Sequence, residues 1–150
     1  MIDSVYRKVT EQVTGIKLES PPARKKKVEN PISVVVLSKG VFKSKAVVVF
    51  PAKFIEAVIA GMSKCNTLSE EEGDAYFKEY MNIFFGRFIS EINNVVGRSS
   101  RFVIPVLLRG SYRETAENEY SNRIDVGFMS EQGRIDFALK YEVLPEHSSN

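Results

Sequence analysis

The chain has 150 residues, 43% of them apolar and 27% charged, the proportions of one soluble domain able to bury a core. Lys and Arg number 21 against 19 Asp and Glu, so the net charge of +2 provides no broad basic face for nucleic acid. No apolar run approaches the ~20 residues that span a bilayer, and the stretch from Met1 to Lys8 is too interrupted by polar residues for a signal peptide. The expectation is a cytoplasmic protein, one domain over 1–150, that engages neither nucleic acid nor membrane.

Residue scarcity removes several chemistries. Cys65 is the single cysteine, which excludes an intrachain disulfide and a Cys-rich zinc site. It reads as a small buried or half-buried hydrophobe. His147, the single histidine, stands in the polar end Pro145-Glu146-His147-Ser148-Ser149-Asn150, and 144–150 reads as a flexible tail. Histidine-based triads, dyads and multi-His metal sites lack their central part.

In chain order, Val5, Val9, Val13 and Ile16 recur at helical spacing, and Gly15 ends a short amphipathic helix. The basic segment Arg24-Lys25-Lys26-Lys27 offers either a solvated loop or an anion-binding patch. No aromatics are interleaved for base stacking, which favours the loop. Val34-Val35-Val36-Leu37 and Ala46-Val47-Val48-Val49-Phe50, with Ser38-Lys39-Gly40 between them, predict an antiparallel hairpin. Pro51 opens a second helix with the stripe Phe54, Ile55, Val58 and Ile59.

Ser69 followed by Glu72 is a capping-box pattern, and Glu70, Glu71, Glu72 and Asp74 suit the positive end of a helix dipole. From there to about Val96 a long helix is predicted, stopped at Gly97. Its seam is Phe77, Met81, Phe84, Phe88, Ile92 and Val95, thickened by Phe85, Ile89 and Val96. Phe102 to Leu108 is apolar but broken by Pro105, hence an edge strand or two short pieces. A polar loop from Gly110 to Asn122 precedes a closing hairpin, with Ile124, Val126, Phe128, Ile135, Phe137 and Leu139 on one face and the turn at Ser130–Gly133. Strands and helices are segregated, so the class is α+β with a mainly antiparallel sheet against the long helix.

Away from its seam the long helix carries a second stripe: Glu79, Asn82, Gly86, Ser90 and Asn93. Steps of three and four place these residues on one face, with Glu79 and Asn82 roughly 60° apart around the axis. A carboxylate and a carboxamide project together, followed by small residues past which another backbone can approach. Polar residues opposite a seam are ordinarily a solvated face. Glu-x-x-Asn also recurs as Glu91-Ile92-Asn93-Asn94. The stripe alone therefore does not decide between surface and site.

The arrangement of the whole chain resembles the CheX-type chemotaxis phosphatases, relatives of CheC and of the FliY phosphatase domain. In that family a β-hairpin and a short helix precede a long helix bearing Glu-x-x-Asn-x-x-x-Gly. A Pro-containing apolar segment with a nearby Gly follows, and a hairpin closes the domain. Here the hairpin around Gly40 leads to the helix at Pro51, Glu79-Tyr80-Met81-Asn82-Ile83-Phe84-Phe85-Gly86 supplies the motif, and Val103-Ile104-Pro105 precedes Gly110. The likeness covers nearly the full length. It selects Asn82 over Asn94, which has no Gly four residues on. Met81 stands where the family has Gly, with its bulk either in the seam or on the docking face. Glu11-Gln12-Val13-Thr14 ends in Thr where a second motif needs Asn, so one site per chain is expected.

The resemblance implies a phosphatase for the aspartyl phosphate of a phosphorylated CheY-type response regulator. Asn82 orients the attacking water, Glu79 pairs with the receiver's Lys, and Gly86 and Ser90 form the docking strip. It also implies no metal and no cofactor of the chain's own, with a divalent metal (Mg) on the receiver, and a homodimer joined through its sheets. A rival reading from the same resemblance is a catalytically silent CheX-like binding module or scaffold, blocked by Met81. A third, weaker reading is an anionic-surface or nucleic-acid binder acting through Arg24–Lys27.

Overall fold

The β-branched runs pair as their turn signal demands. In the computed structural model, which describes residues 1–21, 28–63, 68–97, 100–110 and 120–144, Pro31–Lys39 (β1) and Phe42–Pro51 (β2) form an antiparallel hairpin with Val34 opposite Val48 and Val36 opposite Ala46. The chain then forms the helix Ala52–Ser63 (α2), the long helix Glu70–Val96 (α3), the short strands Arg101–Phe102 (β3) and Val106–Arg109 (β4), and the hairpin Asn122–Ser130 (β5) and Gly133–Val143 (β6). The helix Ile2–Thr14 (α1) precedes them all. The apolar segment around Pro105 is two short strands, both paired with β1: β3 at Ser38 and Lys39, β4 at Ser33 to Val35. Strand order is β3-β1-β2-β6-β5, with β4 beside β1, and every named pairing is antiparallel. The α+β class and mainly antiparallel sheet expected from the sequence are what the structure has.

Period-two alternation sorts the sheet into two faces. Val34, Val36, Ala46, Val48, Phe50, Ile135, Phe137 and Leu139 are buried on the face that receives the helices. Ring contacts place all three helices there. Tyr6 of α1 lies 6.2 Å from Phe137, Phe54 of α2 stacks on Phe50 at 5.4 Å, and Phe84 of α3 meets Phe137 at 5.7 Å. These edge-to-face and stacked pairs add to a core in which aromatic side chains supply most of the bulk.

The expected signals operate at the helix ends. Gly15 and Gly97 take the left-handed conformation (φ 78° and 69°) and close α1 and α3. Ser69 and Glu72 form the reciprocal capping box. Gly61 is needed for packing: a Cβ there would lie 2.6 Å from the Thr14 carbonyl oxygen, so α2 passes the end of α1 at backbone distance.

Some expectations shift. Pro51 is the last residue of β2, opposite Pro31, and α2 begins one residue later. Val95 is 71% exposed although its spacing places it on the seam, because the seam loses its cover over the last turn of α3. The homodimer reading needs a sheet edge; among the described strands β1 is enclosed between β2 and the β3–β4 pieces, and of the two hairpins the closing one presents an edge strand, β5. Cys65, the Arg24–Lys27 run, His147 and the tail from Pro145 lie outside the described residues, as does 111–119 of the polar loop.

Candidate functional site

α3 is long, about 40 Å, and is fixed along its length. Near its start, Gly73 brings the helix close to Ile59 of α2 and Phe77 packs edge-on against Phe50 of β2, while Glu70 and Arg109 of β4 form an exposed ion pair that adds little. At its middle, the Tyr80 hydroxyl donates to Tyr6 Oη at 2.7 Å and lies 2.6 Å from Thr10 Oγ1, a buried three-hydroxyl cluster that joins α3 to α1. Burial pushes both phenols well above the ordinary tyrosine range, so they stay neutral and bonded. At its end, the Asn93 side chain donates to the Ser100 carbonyl at 3.2 Å and accepts from the Ser100 amide at 2.9 Å. Ser100 Oγ in turn accepts from the Phe42 amide.

On this fixed rod Glu79 and Asn82 are both exposed, less than one turn apart. Among the described residues neither has a hydrogen-bond or ion-pair partner, so the carboxylate and the amide both face solvent with their bonding capacity unused. Between them Tyr80 and Met81 turn into the core, and both are fully buried. Met81 therefore belongs to the seam, and its bulk is absent from the face that carries Asn82.

Gly86 is exposed, one turn beyond Asn82, and an added Cβ would meet nothing within 4 Å. A glycine inside a helix costs about 1 kcal/mol relative to alanine, and no contact within the described chain requires it. Ser90, also exposed, turns its hydroxyl back onto the Gly86 carbonyl at 3.0 Å, a bond within its own helix. Asn93, the last member of the stripe, serves as the bracket to Ser100 and is not available to a partner.

The sequence did not reveal the second wall. α1 lies alongside α3 and encloses an open groove of about 580 Å³ lined by Ser4, Lys8 and Val9 on one side and Asn82, Gly86 and Arg87 on the other. Ser90 and Glu91 continue the α3 wall. Glu79 stands beyond the groove's end. Arg87 Nη1 donates to Gln12 Oε1 at 2.5 Å, a second tie between the walls. Only tertiary packing makes Lys8 and Asn82 line one groove; the valines of α1 announced a helix but not its neighbour.

No group of three or more His, Cys, Asp or Glu side chains among the described residues could hold a metal ion. No described helix is long and apolar enough to cross a membrane. The chemistry open to this surface is hydrogen bonding by an amide, ion pairing by a carboxylate, and close approach over a glycine.

The sequence matches no protein-family model and no curated protein. Its fold matches solved structures. CheX from Desulfovibrio desulfuricans superposes with a TM-score of 0.76 at 17% identity, over 94% of this chain and 96% of that one. CheX from Vibrio vulnificus gives 0.72 at 16% identity, covering 94% and 93%. A Borrelia burgdorferi complex of CheX with CheY, BeF3 and Mg2+ gives 0.66 at 15% identity, covering 94% and 95%. Thus the chain has, over nearly its whole length, the fold of the CheX and CheC-like chemotaxis proteins that its sequence resembles.

Proposed function

We propose that this protein accelerates hydrolysis of the aspartyl phosphate on a CheY-type response regulator, with Asn82 orienting the attacking water and Glu79 pairing with the receiver's lysine. The observation that carries the reading is the pair of unengaged polar side chains, Glu79 and Asn82, on a helix packed at its start and bonded at its middle and end. The B. burgdorferi relative in complex with CheY supports a receiver as the partner.

Phosphoryl transfer asks little covalent chemistry of a catalyst. Holding water in line and matching the developing charge supply most of the gain. An amide suits that task because its NH2 donates while its oxygen accepts. The receiver brings the phosphorylated aspartate, the divalent metal and its own lysine, and Gly86 lets its backbone settle close to α3. A fixed helix preserves the geometry that catalysis by positioning requires.

The test is phosphate release from a phosphorylated CheY-type receiver given substoichiometric protein. Multiple turnovers are expected, with Glu79→Ala weakening receiver affinity about tenfold through loss of a charge-assisted contact. Tight binding without faster release would instead select the silent module. The buried position of Met81 speaks against that rival, whose block depended on an exposed methionine. The homodimer belongs to the same proposal. β5 is the edge to join through: among the described residues it is bridged beyond β6 at Met129, by Glu19, with Pro21 against Gly127. Sedimentation should then give twice the 16.9 kDa chain mass, and a monomer at working concentration would reject it.

A further inference from the structure

The groove between α1 and α3 is charged unevenly. Lys8 on one wall and Arg87 on the other face it, with Glu91 as the carboxylate among its lining residues. Neither cation is neutralised among the described residues: Lys8 has no bonded partner there, and Arg87 is bonded to the neutral amide of Gln12. The neighbouring cation of α1, Arg7, differs. It is paired with Asp3 at 2.9 Å and bonded to Ser20, which makes it part of the fold. At the other end of the site stands Glu79, eight residues before Arg87 and hence ~12 Å away along the helix. Along the axis Asn82 lies between the two ends, while around the helix Arg87 is turned about 140° from it, toward α1.

We propose that this polarity sets the orientation in which a receiver docks: Glu79 takes a cation at one end, while Lys8 and Arg87 take an acidic surface of the same receiver at the other. The inference rests on the reading of the site as a receiver-docking surface and deepens it. A receiver's phosphorylation pocket carries its lysine close to the phosphoaspartate. The inference requires of that receiver an acidic side chain roughly 12 Å from the lysine, on the side facing α1. In the reversed orientation, like charges meet at both ends, which costs far more than a missing contact. One amide can act on one buried phosphoryl group only when the two proteins meet in a single register, and two opposed charges fix a direction where one does not. The Gln12 bond holds the Arg87 guanidinium at the α1 wall, so little ordering is left to the encounter.

The experiment measures affinity for a CheY-type receiver held in its activated form by beryllofluoride and Mg2+, at about 50 and 200 mM salt, beside turnover on the phosphorylated receiver. For Lys8→Glu combined with Arg87→Glu, affinity should fall about tenfold or more, its salt dependence should flatten, and turnover at saturating receiver should fall as well, because complexes out of register hold the phosphoryl group away from Asn82. Lys8→Glu alone, which breaks no bond within the described fold, should show the same trend, and the thermal midpoint of each variant identifies any loss from misfolding. An acidic-to-basic change on the facing receiver surface should restore binding to the doubly reversed protein. Wild-type binding matched within twofold by both variants would overturn the inference while leaving the Asn82 reading intact. A wild-type protein that neither binds the receiver nor speeds its dephosphorylation would remove the parent reading and this one with it.

Discussion

Replacing Asn82 with alanine is expected to lower turnover on a phosphorylated receiver by about 100-fold or more, with receiver affinity and stability close to wild type. The side chain is exposed and has no partner among the described residues, so its removal leaves no cavity and no orphaned group in the fold. What it removes is a donor and acceptor set at the point where the water has to stand. An interaction made only in the transition state lowers kcat and kcat/KM together. Asn82→Asp sharpens the test: it keeps the shape, but its ionised side chain only accepts and brings a negative charge toward a phosphoryl group. It should fail as alanine does. Turnover within a few-fold of wild type in single-turnover assays of either variant would remove Asn82 from the mechanism.

Met81→Gly is expected to destabilise the protein by about 3–6 kcal/mol and to confer no activity. The resemblance to CheX left Met81 either packed in the seam, where its periodicity places it, or as a block on the docking face that glycine would clear. In the fold, its side chain is fully buried in the seam of α3. Truncating a buried methionine to alanine costs about 2–5 kcal/mol, and glycine inside a helix costs about 1 kcal/mol more. Against a total stability of order 5–15 kcal/mol, such a loss removes a large share of it. Urea unfolding followed by circular dichroism measures it. A midpoint near wild type together with new phosphatase activity would place the methionine on the docking face after all.

Elements governed by local chemistry were legible in the sequence. The Ser69–Glu72 box, the stops at Gly15 and Gly97, the two hairpins and the break at Pro105 each follow from residues within a few positions of one another. The stripe from Glu79 to Ser90 was legible for the same reason, since helical spacing alone places it on one face. Contacts between distant segments were not. Tyr80 carries a hydroxyl, yet it is fully buried because Tyr6 and Thr10, 74 and 70 residues earlier, satisfy that hydroxyl. Nothing local marks such a pairing. Asn93 shared the stripe's spacing but is held by Ser100, seven residues further on. Lys8 and Arg87 carried no motif at all, and they form part of the site only because α1 packs against α3.

These features give one physical picture. Aromatic packing and a buried hydroxyl cluster fix α3 against α1 and the sheet, and the exposed face of that helix presents an amide beside a carboxylate, with the cations Lys8 and Arg87 along the groove toward α1. A glycine beside the amide keeps the approach open. The amide's reach into a receiver is best examined in a crystal structure of this protein with a CheY-type receiver carrying beryllofluoride and Mg2+. Asn82 should enter the receiver's pocket, its amide ~3 Å from a water in line with the acyl-phosphate bond, with Glu79 on the receiver's lysine. A complex in which α3 faces away from the beryllofluoride, leaving the Asn82 amide in bulk solvent, would refute the catalytic role.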